Sequence, residues 1–327
     1  METLLCTEIM SSGVKCATVD PVIHNSKRVI SNLLAQQVNS LPECDYFNTI
    51  QTEIKPFMRK VVTNWMLEVC EDQHCEMPVF PLAVNLLDRF LCSCKIKRSQ
   101  LQLSGAACLL IASKTRQYFT LPVGLLCFYT DNSVTPDDLK QWELLIMTKL
   151  RWRIYGVTGA DFIDHLLISC WPDSDNQIRN HAHTLLSLAC TEPELMQTKS
   201  STLASASLIA AARGLKIKMN VFDKLCDIIE TCSEEEIELT VQKIEHAFLE
   251  ACKAMTSVVQ IEDRYIQSTT TQQSSTGYDT GDDQLTVSEI VSSAKSEPGH
   301  IVLGFYTEQS EVSLAAQLND LLPIFIR

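Results

Sequence analysis

Fourteen cysteines and seven histidines are the side chains best suited to metal ligation or nucleophilic chemistry. Their spacing supports neither. No C-x-x-C pair occurs. Cys92 and Cys94 stand two apart, as do His181 and His183, and an i,i+2 pair on a helix points in different directions. Cys70, His74 and Cys75 come closest to a ligand cluster, but no second pair follows at zinc-site spacing. No P-loop, G-x-G-x-x-G, G-x-S-x-G or H-E-x-x-H is present. Ten glycines leave little of the open backbone that brings a loop close to a substrate. The expectation is a helical interaction module with no metal, no cofactor and no catalytic residues of its own.

Charge narrows the partners. A formal net charge of −13 opposes the phosphate backbone of nucleic acid, which needs a basic footprint. Lys95, Lys97 and Arg98 form one small basic cluster, which suits a solvated turn. No stretch of 18 or more apolar residues and no signal peptide is visible, so neither a membrane span nor export is expected. In a reducing compartment the cysteines read as buried thiols.

The elements that would carry an interaction surface are helices. Apolar periodicity near 3.6 predicts a first series at 26–38, 54–70, 79–91, 97–115, 122–129 and 136–150, and a second at 159–169, 175–190, 201–214, 221–231 and 234–255. Thr135-Pro136-Asp137-Asp138 supplies a cap, an N1 proline and acids at one helix start, and Ser233-Glu234-Glu235-Glu236 is a capping box. "LSGAACLLIASK" (103–114) and "LASASLIAAARG" (203–214) are small-residue helices almost without a polar face. Such helices are surrounded by others, because only small side chains let neighbours approach on every side. With the helix at 26–38 set apart as a preceding one, each sits third in a five-helix series, which predicts two five-helix domains. A single irregular bundle is the competing arrangement. From residue 256 the chain turns polar and Ser/Thr-rich, with ten acids against three bases to the end. Disorder is expected there, with Leu318, Leu321 and Leu322 on a weak terminal helix.

One helix has too much apolar surface. In "MRKVVTNWMLEV" (58–69), Met58, Val62, Trp65 and Val69 make one stripe at 100° per residue. Val61, Met66, Leu67 and Cys70 spread apolar character to roughly twice the 100° arc that one packed face requires.

That segment, with "FPLAVNLLDRFL" (80–91), "LQLSGAACLLIASK" (101–114), "YTDNSVTPDDLKQWELLIMTKLRW" (129–152) and "DFIDHLL" (161–167), resembles a cyclin, most of all the D-type (G1) cyclins, over about residues 1–255. The resemblance implies an all-α fold of two tandem five-helix cyclin boxes, with an N-terminal helix and a disordered C-terminal tail. The domains would be a flexible segment 1–24, an N-terminal helix and first box 25–152, a second box 153–255 and a regulatory tail 256–327.

The same resemblance implies partners and site residues. The activity would be binding and activation of a cyclin-dependent Ser/Thr kinase catalytic subunit at G1/S, with Lys114 and Glu143 contacting the kinase's regulatory helix. Substrates and inhibitors bearing Arg-x-Leu would dock in a groove of Met58, Val61, Val62, Trp65 and Gln102, with Glu68 placed for the peptide's arginine. Plain core packing of those residues is the alternative. Arg59 would turn inward to pair with Asp88. Leu4, Cys6 and Glu8 form the L-x-C-x-E peptide for retinoblastoma-family pocket proteins, three side chains that share one side of an extended strand. D-type cyclins usually carry a Thr-Pro phosphorylation site in the tail. Here the single Ser/Thr-Pro is Thr135-Pro136, inside the box, and the tail offers Thr276 and Thr280, each followed by an acid three residues on. The implied location is nuclear and cytoplasmic. A non-activating kinase adaptor and a transcription-factor-IIB-like DNA-binding cyclin fold are the competing functions.

Overall fold

The computed structural model describes residues 20–273 apart from 25, 172–175, 218–224, 226–227 and 230–231. Ten principal helices are labelled here: α1 (Lys27–Gln37), α2 (Pro56–Asp72), α3 (Val79–Ser93), α4 (Leu101–Arg116), α5 (Val123–Tyr129), α6 (Pro136–Lys149), α7 (Gly159–Cys170), α8 (Asn176–Thr191), α9 (Ser200–Gly214) and α10 (Glu234–Gln273). Single helical turns at Pro21–His24 and Tyr46–Thr49 join them. The helix expected at 221–231 lies largely outside the described residues.

Two hydrophobic cores form, one around α4 and one around α9. α4 is buried from Ser104 through Ser113, and α9 is buried along nearly its whole length. Small side chains are what make this possible. A Cβ on Gly105 would stand 3.1 Å from Met66 Sδ and 3.2 Å from Val62 Cγ2, so α2 crosses α4 where the side chain is absent. Two cores, each with its own central helix, exclude the single-bundle arrangement.

Local chemistry sets the helix starts. Thr135 Oγ1 accepts from Asp138 N at 3.1 Å, with Pro136 at the first helical position of α6. Ser233 Oγ accepts from Glu236 N at 3.2 Å at the start of α10.

Two features differ from expectation. α1 is first in sequence, yet it packs on the second core through Leu33 and Leu34, and the buried Gln37 accepts from Ser201 N at 3.0 Å. α10 continues to Gln273, well past residue 255. The described polar segment up to that point is therefore helical rather than disordered. No glycine or proline interrupts the chain between Glu234 and Gly277, so nothing local forces an earlier stop. Cys44, Cys70, Cys75, Cys92, Cys94, Cys108, Cys127 and Cys190 are free thiols. Among the described residues no metal-ligating group assembles and no helix is long and apolar enough to cross a membrane.

Candidate functional site

The first box presents two uncovered faces, and a buried ion pair fixes the helix that carries one of them. Arg59 of α2 donates from Nε to Asp88 Oδ1 at 2.8 Å and from Nη2 to Oδ2 at 2.7 Å. Asp88 Oδ1 also accepts from the Tyr46 hydroxyl at 2.8 Å. Burial alone would weaken the Arg59 charge, but Asp88 beside it holds the guanidinium above its ordinary pKa. Burial and the Asp88 carboxylate push the Tyr46 phenol well up. The remaining Arg59 donors reach the carbonyls of Thr191 at 2.9 Å and Cys190 at 3.0 Å. Those carbonyls end α8, so one side chain ties the first box to the second.

The first face lies where α4 and α6 emerge. α4 is apolar and enclosed up to Ser113, and Lys114 is the first side chain to leave the core. Its Nζ donates to Glu143 Oε1 at 2.7 Å and Oε2 at 2.9 Å. α6 turns Leu139 and Ile146 inward, which leaves Glu143 at the rim and Leu144 in solvent. Beyond the end of α4, Tyr118 (78% exposed) and Phe119 meet edge to face with centroids 4.8 Å apart. Trp152 and Tyr155 are also uncovered in the segment between the boxes. Exposed Tyr118 and Phe119 just past the helix that carries Lys114 give this end of α4 the composition of a partner-binding face.

The second face is the outer side of α2. Arg59, Val62, Thr63, Met66, Leu67, Val69 and Cys70 are buried. Phe57 (61% exposed) and Val61 (38%) point outward, Met58 and Trp65 are half-buried, and Glu68 is exposed. Trp65 Nε1 donates to the Tyr129 carbonyl at 3.2 Å, which pins the indole to the end of α5. The Tyr129 hydroxyl bonds to Asp72 and accepts from Gln73 Nε2 at 2.6 Å. Its pKa is pushed up to about 12, first by burial and then by Asp72. Partial desolvation raises the Glu68 carboxyl although its side chain reaches solvent. Gln102 is half-buried at the start of α4.

One residue of the expected groove is displaced. Val62, 5% exposed, packs on Gly105 and belongs to the core. Phe57 joins the face instead, and the signal was its spacing: Phe57, Val61 and Trp65 recur every four residues, one side of a helix. Leu4, Cys6, Glu8, Thr276 and Thr280 lie outside the described residues.

Two helical domains, each wrapped around a small-residue helix and bridged by a buried arginine, define a tandem-box helical protein. Two family models match in tandem, "Cyclin, N-terminal domain" over residues 28–155 and "Cyclin, C-terminal domain" over 157–280. G1/S-specific cyclin-D2 of Xenopus laevis is 43% identical over 216 residues, covering 65% of this chain and 74% of the relative. G1/S-specific cyclin-D1 of Homo sapiens is 42% identical over 217 residues, covering 66% and 72%. A crystal structure of a viral cyclin from herpesvirus saimiri superposes with a TM-score of 0.62 at 25% identity, covering 67% of this chain and 96% of that one. The chain belongs to the cyclin family, in its D-type, G1/S-specific branch.

Proposed function

We propose that this D-type cyclin binds and activates a cyclin-dependent Ser/Thr kinase at the G1/S transition and contributes no catalytic residue of its own. The observation that carries the reading is the Lys114–Glu143 pair, with exposed Leu144 next to Glu143 on α6 and exposed Tyr118 and Phe119 just beyond the end of α4. Apolar side chains around a fixed pair of charges give affinity by burial and register by hydrogen bonding. Pressed against the kinase's regulatory helix, such a face moves that helix's glutamate toward the ATP-site lysine and completes the phosphoryl-transfer site.

The α2 face supports a second contact. Phe57, Met58, Val61 and Trp65 form an apolar strip with Glu68 near its end, which suits Arg-x-Leu peptides of substrates and inhibitors. The spacing of Leu4, Cys6 and Glu8 supports recruitment of retinoblastoma-family pocket proteins, the substrates we assign to the complex. Thr276 and Thr280 are the tail sites proposed for an acidophilic kinase, and the complex would work in nucleus and cytoplasm. The net charge of −13 counts against a DNA-binding role.

Co-expression with a cyclin-dependent kinase, purification of the complex and assay on a pocket-protein fragment test the reading. Activity well above that of the kinase alone supports it. Stable binding without activation would make the chain an adaptor, and absence of binding would remove the kinase from the account.

A further inference from the structure

A pocket of about 310 Å3 opens between the end of α1, helix α3 and the segment joining the boxes. Gln36, Asn39, Ser40, Arg89, Arg153 and Tyr155 line it. Arg89 donates from Nη2 to the Arg153 carbonyl at 2.8 Å and from Nη1 to Asn85 Oδ1 at 3.4 Å. The first arginine therefore holds the backbone that carries the second.

Neither guanidinium forms an ion pair among the described residues. In a chain of net charge −13, two arginines without a carboxylate partner in one recess are conspicuous. Burial, and then the charge of Arg153, lower the Arg89 pKa, while the field of Glu43 opposes this. One carboxylate against two guanidiniums leaves the recess positive and short of an anion. Ser40 adds a hydroxyl whose oxygen already accepts from Val157 N at 2.9 Å, so its hydrogen is available to donate.

Anion chemistry selects the ligand. A carboxylate carries one charge and two acceptor oxygens, enough for one guanidinium fork. A phosphate monoester carries roughly −1.5 to −2 and three acceptor oxygens, which matches two. The volume is at the small end of ligand pockets, right for one phosphate-bearing side chain. Tyr155, 77% exposed, lines the opening and offers stacking surface to a polypeptide beside that residue. We propose that the Arg89–Arg153 pocket binds the phosphate of a phosphorylated Ser or Thr side chain on a protein partner.

The test needs no kinase, so it stands or falls apart from the activation reading. The probe is a fluorescein-labelled peptide with one central phosphothreonine in neutral Ala/Ser flanks, followed by anisotropy with the purified full chain. Peptides with Thr or Glu at that position and inorganic phosphate as competitor complete the set. The phosphopeptide is expected to bind at least about tenfold tighter than either analogue, a separation of about 1.4 kcal/mol. The Arg153→Ala variant, altered at an exposed position, is expected to keep its circular dichroism and lose that preference. The Arg153→Lys variant keeps the charge but not the fork, and should fall between the two. Equal binding of the Glu peptide, or an unchanged preference in Arg153→Ala, overturns the phosphate assignment. Displacement of the probe by an equal concentration of inorganic phosphate makes this a free-phosphate site and overturns the polypeptide assignment.

Discussion

Arg59 and Asp88, 29 positions apart in sequence, meet through two hydrogen bonds of 2.8 and 2.7 Å with both side chains almost fully buried. The pair joins α2 to α3, and the outer nitrogens of Arg59 reach the carbonyls that close α8. Three helices from two boxes thus depend on one guanidinium. Its position also fixes the rotation of α2, and with it which residues face solvent.

Removing one partner leaves the other charged and without water. Arg59→Ala and Asp88→Ala should each lower stability by about 3–5 kcal/mol, the range for breaking a buried pair. The double variant Arg59→Met/Asp88→Leu should recover much of that loss. Urea denaturation checks both expectations, and two single variants within about 0.5 kcal/mol of the parent would mean that the pair is immaterial to folding.

A second buried group predicts acid sensitivity. His183 is enclosed in α8, its Nε2 without a hydrogen-bond partner, near Arg179 and Asp164, which bond to each other at 2.6 and 2.9 Å. Burial, then the Arg179 charge, lower its pKa to about 4. The unfolded chain takes up a proton near the ordinary value of about 6.5, while the folded chain does not. Stability should therefore fall as pH drops from about 6.5 towards 4. A displacement of this size corresponds to roughly 3 kcal/mol at most. Melting curves at stepped pH check the slope, and His183→Gln should flatten it relative to the parent. Parallel curves for the two proteins would show that His183 does not contribute.

The architecture was legible because it depends on side-chain volume. Ser, Gly and Ala repeated along 103–114 and 203–214 mark helices that neighbours must surround, and α4 and α9 are those helices. What remained hidden depends on partners far along the chain. Leu33 and Leu34 would serve as a packing stripe against either box, and nothing local to α1 tells which core receives them. Arg59 reads in sequence as a polar interruption of an apolar helix, and only the resemblance to cyclins pointed it inward. Phe57 stands one residue before the apolar run that begins at Met58, so that run does not contain it. Periodicity gives the width of an apolar arc but not its rotation about the axis, so it does not distinguish the inward Val62 from the outward Val61. Gly105 opposite sets that rotation.

The Lys114–Glu143 bridge is half-exposed on the lysine side, and pairs of that kind contribute about 0–1 kcal/mol to folding. Lys114→Glu should therefore leave circular dichroism intact and the melting temperature within a few degrees, while abolishing kinase co-purification. A reversed charge at a closed interface costs on the order of 2–5 kcal/mol of binding. Normal recovery of the kinase by this variant would remove Lys114 from the interface.

The α2 face gives the last test, and the structure sharpens it. Trp65 is half-buried and hydrogen-bonded to the Tyr129 carbonyl at 3.2 Å, so truncation removes packing as well as any docking surface. Trp65→Ala should cost about 1–3 kcal/mol, below the 3–5 kcal/mol of a fully enclosed tryptophan. A fall in melting temperature of roughly 10 °C or more would place the indole in the core. Phe57→Ser and Val61→Ser alter side chains that already stand in solvent, and should leave stability within about 0.5 kcal/mol. These two changes separate docking from folding. With the kinase bound, the Phe57→Ser/Val61→Ser variant should phosphorylate a short peptide at the parent rate and lose activity on a substrate bearing Arg-x-Leu. Equal loss on both substrates would place the defect in kinase activation. Unchanged activity on both would leave the outer face of α2 without a docking role.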